Sequence, residues 1–289
     1  MRSYKREYLL EFIAIDGTNV VLQQTADKTG LMIDFSIKKT ITKTSNSATI
    51  SITNPSRNTM AALQKQGTIS LSAGYKDDIA LILHGQKEST SFSDDDGTLR
   101  LELKVVEGTA SYEDLLFSKN YGAGASSIDV VKDLVKHLIN NVPSVLSVNQ
   151  YSLTTFKKYS GTQVVYGDAF KLLGEMLFNI GFEYFLNKGE LTILPSNGFI
   201  RDLQVDVNAN NGMIGSPKPI AESSTTKASK NGVEFKTILN YNFDIGRRVS
   251  IKSNDFDNAI FKIEEVNFIG NSLEGEWIST VKAYEIGQI

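Results

Sequence analysis

Side chains that commonly do chemistry are scarce in this chain. It has two histidines, His84 and His137, and no cysteine, which excludes disulfides and thiolate metal sites and leaves little imidazole for acid–base work. His84 follows Leu81-Ile82-Leu83 and precedes Gly85, so it reads as a strand-end or partly buried histidine making one hydrogen bond. His137 falls on the polar side of a helix expected over 126–141, near its C-terminus, where a solvated cation suits the helix dipole.

Carboxylates cluster at Asp77-Asp78, Asp94-Asp95-Asp96 and Glu264-Glu265. The first two runs lie at turn signals, where Asp side chains bond the local backbone. Glu264 and Glu265 would point to opposite faces of a strand and so cannot share one acid–base site. The Asp94–Asp96 run lacks EF-hand spacing, and a solvated turn is expected there rather than a calcium site. Tyr121-Gly122-Ala123-Gly124-Ala125-Ser126-Ser127 precedes a helix, but it has neither the Walker lysine nor the third glycine of a dinucleotide loop. No Gly-x-Ser-x-Gly elbow and no His-Glu-x-x-His is present. The expectation is a protein that is not an enzyme, with no catalytic, cofactor-binding or metal residues and no cofactor.

A net charge of −3 with no basic block argues against nucleic acid as a main partner, because phosphate binding needs clustered Lys and Arg. No apolar run approaches the roughly 18 residues of a membrane helix. The start is basic, yet Glu11 breaks the following apolar run and no small-residue cleavage site follows, so no signal peptide is expected.

The elements are mostly strands. Glu7–Ile15 ends at Asp16-Gly17. From Leu31 an alternation places Ile33, Phe35 and Ile37 on one face and Asp34, Ser36 and Lys38 on the other. Ala48–Asn54 repeats the pattern before Pro55, and Ser56 is positioned to cap a short helix. Strands are expected at 68–74, 80–84, 90–93 and 99–106, the last two joined by a turn at Asp94–Gly97. Ser126 and Asp129 form a near capping box for the 126–141 helix, and Asp168 caps a second helix over 169–180 ended by Gly181. A hairpin over 182–194 follows. Further strands are expected at 233–241, 247–251, 260–269 and 276–283. Between them and the hairpin lie a linker-like Gly212–Pro217 and an exposed polar loop, Ala221–Asn231. The fold class is therefore mainly β with an α+β insert: a β unit over 1–106 that reads as an antiparallel barrel or sandwich, an α+β domain over 107–200 and a second compact β unit over 201–289.

Three segments together resemble the baseplate hub proteins of contractile phage tails, the late control protein D-like group. They are Phe35–Ala48 continuing through Ile50–Asn54 and Thr59–Leu63 to Ala73-Gly74-Tyr75; Gly212–Pro217; and Gly232–Asn240 with Gly246–Val249, Phe261–Val266 and Gly275-Glu276-Trp277. The order spans nearly the whole chain. Where that family often has a His-x-Gly-Asp turn before the Trp, this chain reads Asn267-Phe268-Ile269-Gly270-Asn271. The resemblance implies two tail-tube-like β-barrel domains, 1–106 and 201–289, in a structural subunit of a virion, in the tail baseplate, assembled in the host cytoplasm. It implies a homotrimeric ring adapting a six-fold tail tube to a three-fold central spike, with the tube, spike and other baseplate proteins as partners. Nucleic acid and membrane are not partners, although DNA passing through the channel stays open. Two alternatives remain: a receptor- or carbohydrate-binding tail module, and a peptidoglycan hydrolase. Trp277 is expected to anchor the core of the last β unit.

Overall fold

The computed structural model describes residues 5–41, 46–108, 115–153, 157–200, 204–222 and 230–286. Alternating burial drives most of the first β unit, in which β3 (Ile33–Thr40) buries Ile33, Phe35, Ile37 and Lys39 and turns the residues between them outward. Its companions are β1 (Arg6–Ala14), β2 (Asn19–Gln24), β4 (Ser47–Thr53), the helix α1 (Arg57–Leu63), β5 (Gly67–Tyr75), β6 (Asp78–Asp95) and β7 (Thr98–Val106). Ser56 caps α1 by accepting from the Thr59 N–H. Asp96 and Gly97 both take positive φ, +52° and +80°, in the two-residue turn between β6 and β7.

The insert holds β8 (Leu116–Tyr121), α2 (Ser127–Asn141), β9 (Ser147–Gln150), β10 (Gln163–Asp168), α3 (Ala169–Phe178), β11 (Phe182–Asn187) and β12 (Glu190–Pro195). Ser126 and Asp129 complete a capping box on α2, and Asp168 caps α3. The stripe Val131, Leu134, Val135 and Leu138 buries against Phe170, Leu173 and Leu177 in a core of its own. The second β unit comprises β13 (Gln204–Val207), β14 (Met213–Glu222), β15 (Lys230–Ile238), β16 (Arg248–Ile251), β17 (Ala259–Asn271) and β18 (Trp277–Glu285).

The two β units share one sheet. Among the described residues, 13 strands run in the order β14-β15-β18-β17-β3-β4-β7-β6-β5-β1-β2, with β16 on β17 and β13 on β16. The joint is an antiparallel ladder between β3 and β17, from Thr40 opposite Glu265 to Asp34 opposite Asn271. It buries Ile37 opposite Phe268, both fully, and a single hydrophobic core runs through both units.

The second unit repeats the first. The order β3-β4-β7-β6-β5-β1 is matched by β14-β15-β18-β17-β16-β13, and the strands come in the same chain order. The repeat holds at the level of single residues. Glu88 is the extra residue of a bulge between Lys87 and Ser89 on β6, and Glu264 is the extra residue between Ile263 and Glu265 on β17. Just beyond the bulges, Ser89 pairs with Lys104 and Glu265 pairs with Lys282. One orientation differs, since β1 runs antiparallel to β5 whereas β13 runs parallel to β16.

Several sequence expectations change in detail. The strands expected at 80–84 and 90–93 form one 18-residue strand, β6, whose first half pairs with β5 and whose second half pairs with β7. The linker-like Gly212–Pro217 lies largely within β14, where a bulge between Ile214 and Lys218 accommodates Gly215 and Pro217. Of the polar loop Ala221–Asn231, the ends belong to β14 and β15, and 223–229 lie outside the described residues. Trp277 is buried as an anchor, edge-on to Phe35 with centroids 5.2 Å apart and its indole N–H donating to the Gly74 carbonyl at 3.2 Å.

Gly270 sits between these two rings. A Cβ there would collide with Phe35 and come within 2.7 Å of Trp277. Gly270→Val is therefore expected to lower stability by about 1–3 kcal/mol through overpacking, seen as a lower urea midpoint with an unchanged slope.

Candidate functional site: a buried charge junction and open strand edges

Strict alternation carries Lys39, two residues past Ile37, onto the buried face of β3, where it has 0 % exposure. An unpaired ammonium would be very costly there. Its Nζ lies 3.2 Å from the carboxylate of Glu107, also fully buried, and donates to Asn187 Oδ1. Glu107 then collects donors from two parts of the chain: Asn46 Nδ2 at 2.7 Å and the Lys188 backbone N–H at 3.0 Å. Asn46 Nδ2 also donates to the Leu186 carbonyl at 2.7 Å, and its Oδ1 accepts from the Thr40 N–H.

The turn between β11 and β12 supplies the next link. Lys188 takes φ +54° ahead of Gly189 at +81°, and its Nζ reaches Asp244 Oδ2 at 2.8 Å and the Tyr241 carbonyl at 3.3 Å. Arg247 approaches the same Asp244 oxygen at 3.5 Å. Burial pushes the Lys188 ammonium below its ordinary pKa, while Asp244 pulls it back up. One chain of charges thus ties the first β unit to the insert and the insert to the second unit. A smaller latch repeats the device: Lys262 donates to Glu183 and, at 3.4 Å, to the Ser196 carbonyl.

His84 lies beside this junction, inside β6 rather than at a strand end. Its Nδ1 is 2.8 Å from Ser70 Oγ, and Nε2 has no hydrogen-bond partner among the described residues. Burial lowers its pKa, opposed by the charge of Glu107. His137 is half-buried rather than fully solvated, edge-on to Phe117 at 5.5 Å and 3.3 Å from Asn141 Nδ2. The two histidines lie in separate parts of the fold, His84 in β6 and His137 in α2.

The carboxylate runs also disperse. Asp94 caps its own turn by accepting from the Gly97 N–H, Asp78 accepts from the Tyr241 hydroxyl at 2.5 Å, and Glu265 pairs with Lys282 at 2.9 Å. Among the described residues, no group of three or more His, Asp or Glu could hold a metal ion, and no helix is long and apolar enough to cross a membrane. An open groove of about 640 Å³ crosses β3, β4 and β17, with Asp34, Glu274 and Glu276 on its walls.

Among the described residues several strand edges are unpaired, those of β2 and β13 among them, and two more lie on β14 and β6. β14 ends the sheet, so one side of it has no ladder partner among the described residues. β5 stops at Gln86 of β6, which leaves Ser89–Asp95 paired only to β7. Sequence reasoning missed the edges of β14 and β6 and the charge junction. The parity of Lys39 was the available signal for the junction; the edges follow only from long-range pairing.

These features define a class: a β-rich fold built from two related units and a pinned insert. No protein-family model matches the sequence, and no match is found among curated proteins. Solved structures do match. A tail protein from Neisseria meningitidis MC58 is 10% identical, with a TM-score of 0.62 over 96% of both chains. The 43 kDa tail protein of prophage MuSo2 from Shewanella oneidensis is 11% identical, with a TM-score of 0.64 over 97% of this chain and 98% of that one. The E. coli c3393 protein is described as a component of the type VI secretion system with structural similarity to the T4 tail proteins gp27 and gp5. It is 12% identical, with a TM-score of 0.61 over 87% of this chain and 73% of that one. The resemblance to baseplate hub proteins is met at the level of fold, mainly β with an α+β insert.

Removing one partner of a buried ion pair strands the other, which typically costs about 3–5 kcal/mol. Glu107→Ala is expected to destabilise the protein on that scale in chemical denaturation, with part of the loss recovered when Lys39→Met is added. His84 gives a second test. Its folded pKa lies below the ordinary value of about 6.5, so the unfolded chain takes up the proton more readily. Its contribution is complete above that value and is lost as the pH falls from it towards the folded pKa. His84→Gln should therefore show a flatter melting temperature between pH 7 and pH 5 than the wild type, with Ser70 and Glu107 unchanged in both.

Proposed function

We propose that the chain is a structural subunit of a phage tail baseplate, a hub that forms a homotrimeric ring and has no enzymatic role. Similarity of fold to tail and baseplate proteins supports a structural role in a tail or baseplate. The observation that carries the finer reading is the internal repeat. Two β units of one strand order, with bulges at Glu88 and Glu264, stand side by side on one sheet. Three such chains present six related units around an axis, which meets a six-fold tube on one side while leaving a three-fold arrangement for a spike on the other.

In this reading 1–106 and 201–289 are the two ring-forming units and 107–200 is the insert that decorates them. The partners are a second and third copy, the tail tube protein, the central spike and neighbouring baseplate proteins. The place of action is the virion, after assembly in the host cytoplasm. The exposed ribbon of β8 and β10, with Leu116, Val164 and Tyr166 open on it, supplies apolar surface suited to protein contacts. The buried charge junction serves rigidity, since it is enclosed among the three parts that it joins.

Light scattering on the purified protein is expected to give the mass of three chains at assembly concentrations. A monomer throughout the concentration range would refute the ring. On a gel impregnated with bacterial cell wall the same sample should leave no cleared band; clearing that persists through further purification would refute the non-enzymatic role.

A further inference from the structure

The ladder between β3 and β17 has no counterpart among the described residues of the chain, although both of its strands do. The repeat equates β17 with β6 and β3 with β14. Register carries this to single residues. Ser36 pairs with Thr49 and Thr49 with Lys104, as Lys218 pairs with Glu234 and Glu234 with Lys282. Ile37 therefore corresponds to Pro219, and Phe268 to Phe92.

The counterparts are the open edges of β14 and β6. Phe268 lies at 0% exposure opposite Ile37 in the internal joint, whereas Phe92 is 44% exposed. Phe92 pairs with the fully buried Leu101, and paired residues share a face of the sheet. Phe92 thus stands on the core-facing side of β6 but is left partly exposed. Pro219 is exposed on β14 beside the fully buried Val233.

We propose that β14 of one copy pairs antiparallel with Ser89–Asp95 on β6 of the next copy, Pro219 lying opposite Phe92 and Lys218 opposite Ser93. This rests on the ring reading and names the contact that closes it. The joint between chains then repeats the joint within the chain, so that six junctions of one kind alternate around three copies. Pro219 cannot donate to the ladder, so this joint has one bond fewer at that position than the internal one and leans more on the Phe92 contact. Proline on the free edge also discourages pairing with unrelated strands.

The chain has no cysteine, which allows a clean crosslinking test. With Phe92→Cys and Pro219→Cys together, mild oxidation of the full-length protein should give covalent species that stop at three chains on a non-reducing gel. Phe92→Cys with Lys218→Cys puts the thiols on opposite faces and should give little product. A trimer by light scattering in which the first pair fails to crosslink, or does so no better than the second, overturns this joint while the ring reading stands. A monomer that never crosslinks overturns both. Phe92→Asp supplies a second readout. Self-association should weaken roughly tenfold to hundredfold, as expected for losing one buried aromatic contact, with the melt of the isolated protomer unchanged. Wild-type assembly by this variant would also overturn the joint.

Discussion

The ladder between β3 and β17 is the constraint on which the rest of the molecule depends. It brings together strands more than two hundred residues apart in the chain and merges two β units into one sheet over one core. At its centre Ile37 and Phe268 are fully buried opposite one another, and at its end Gly270 leaves room for Phe35 to meet Trp277. A slip of one residue in this register would turn Ile37 and Phe268 outward and bring their polar neighbours to the core. The relative placement of the units is thus set by side-chain burial as much as by backbone hydrogen bonds.

The charge junction acts on the same problem from the other side. The insert has its own core and also sends Phe185 and Leu194 into the core of the β units. Lys39 with Glu107, and Lys188 with Asp244, fix its position by direction as well as by proximity. Buried ion pairs are poor sources of net stability, because desolvation offsets much of their attraction. Here their geometry selects one docking of the insert, since any other would leave Glu107 or Asp244 buried without its donors.

How much of this could be read from the sequence depended on range. Strict alternation in β1, β3, β4 and β7, and the side-chain caps at Ser56, Ser126 and Asp168, are local signals, and the structure follows them. β14 was obscured because Gly215, Pro217 and Pro219 are the residues of turns, and only its place at a sheet edge tolerates them. β2 was missed because its open-edge position leaves most of it half-exposed, without a clear apolar face. β6 read as two strands because its second half, Ser89–Asp95, is polar apart from Phe92. The repeat itself was expected from matched size and resemblance, but its registers lie in pairings that no local pattern encodes. For the junction, the parity of Lys39 was legible, whereas Glu107 as its partner was not.

The account turns on the claim that the repeat within one chain is also the repeat between chains. Image averages of the particle viewed down its axis test this most directly, through their rotational power spectrum. The account predicts a strong six-fold component at low resolution, with a three-fold component emerging as detail separates the two kinds of unit and their inserts. A spectrum with three-fold power alone at every resolution would contradict it, because the two β units would then not occupy equivalent places around the ring.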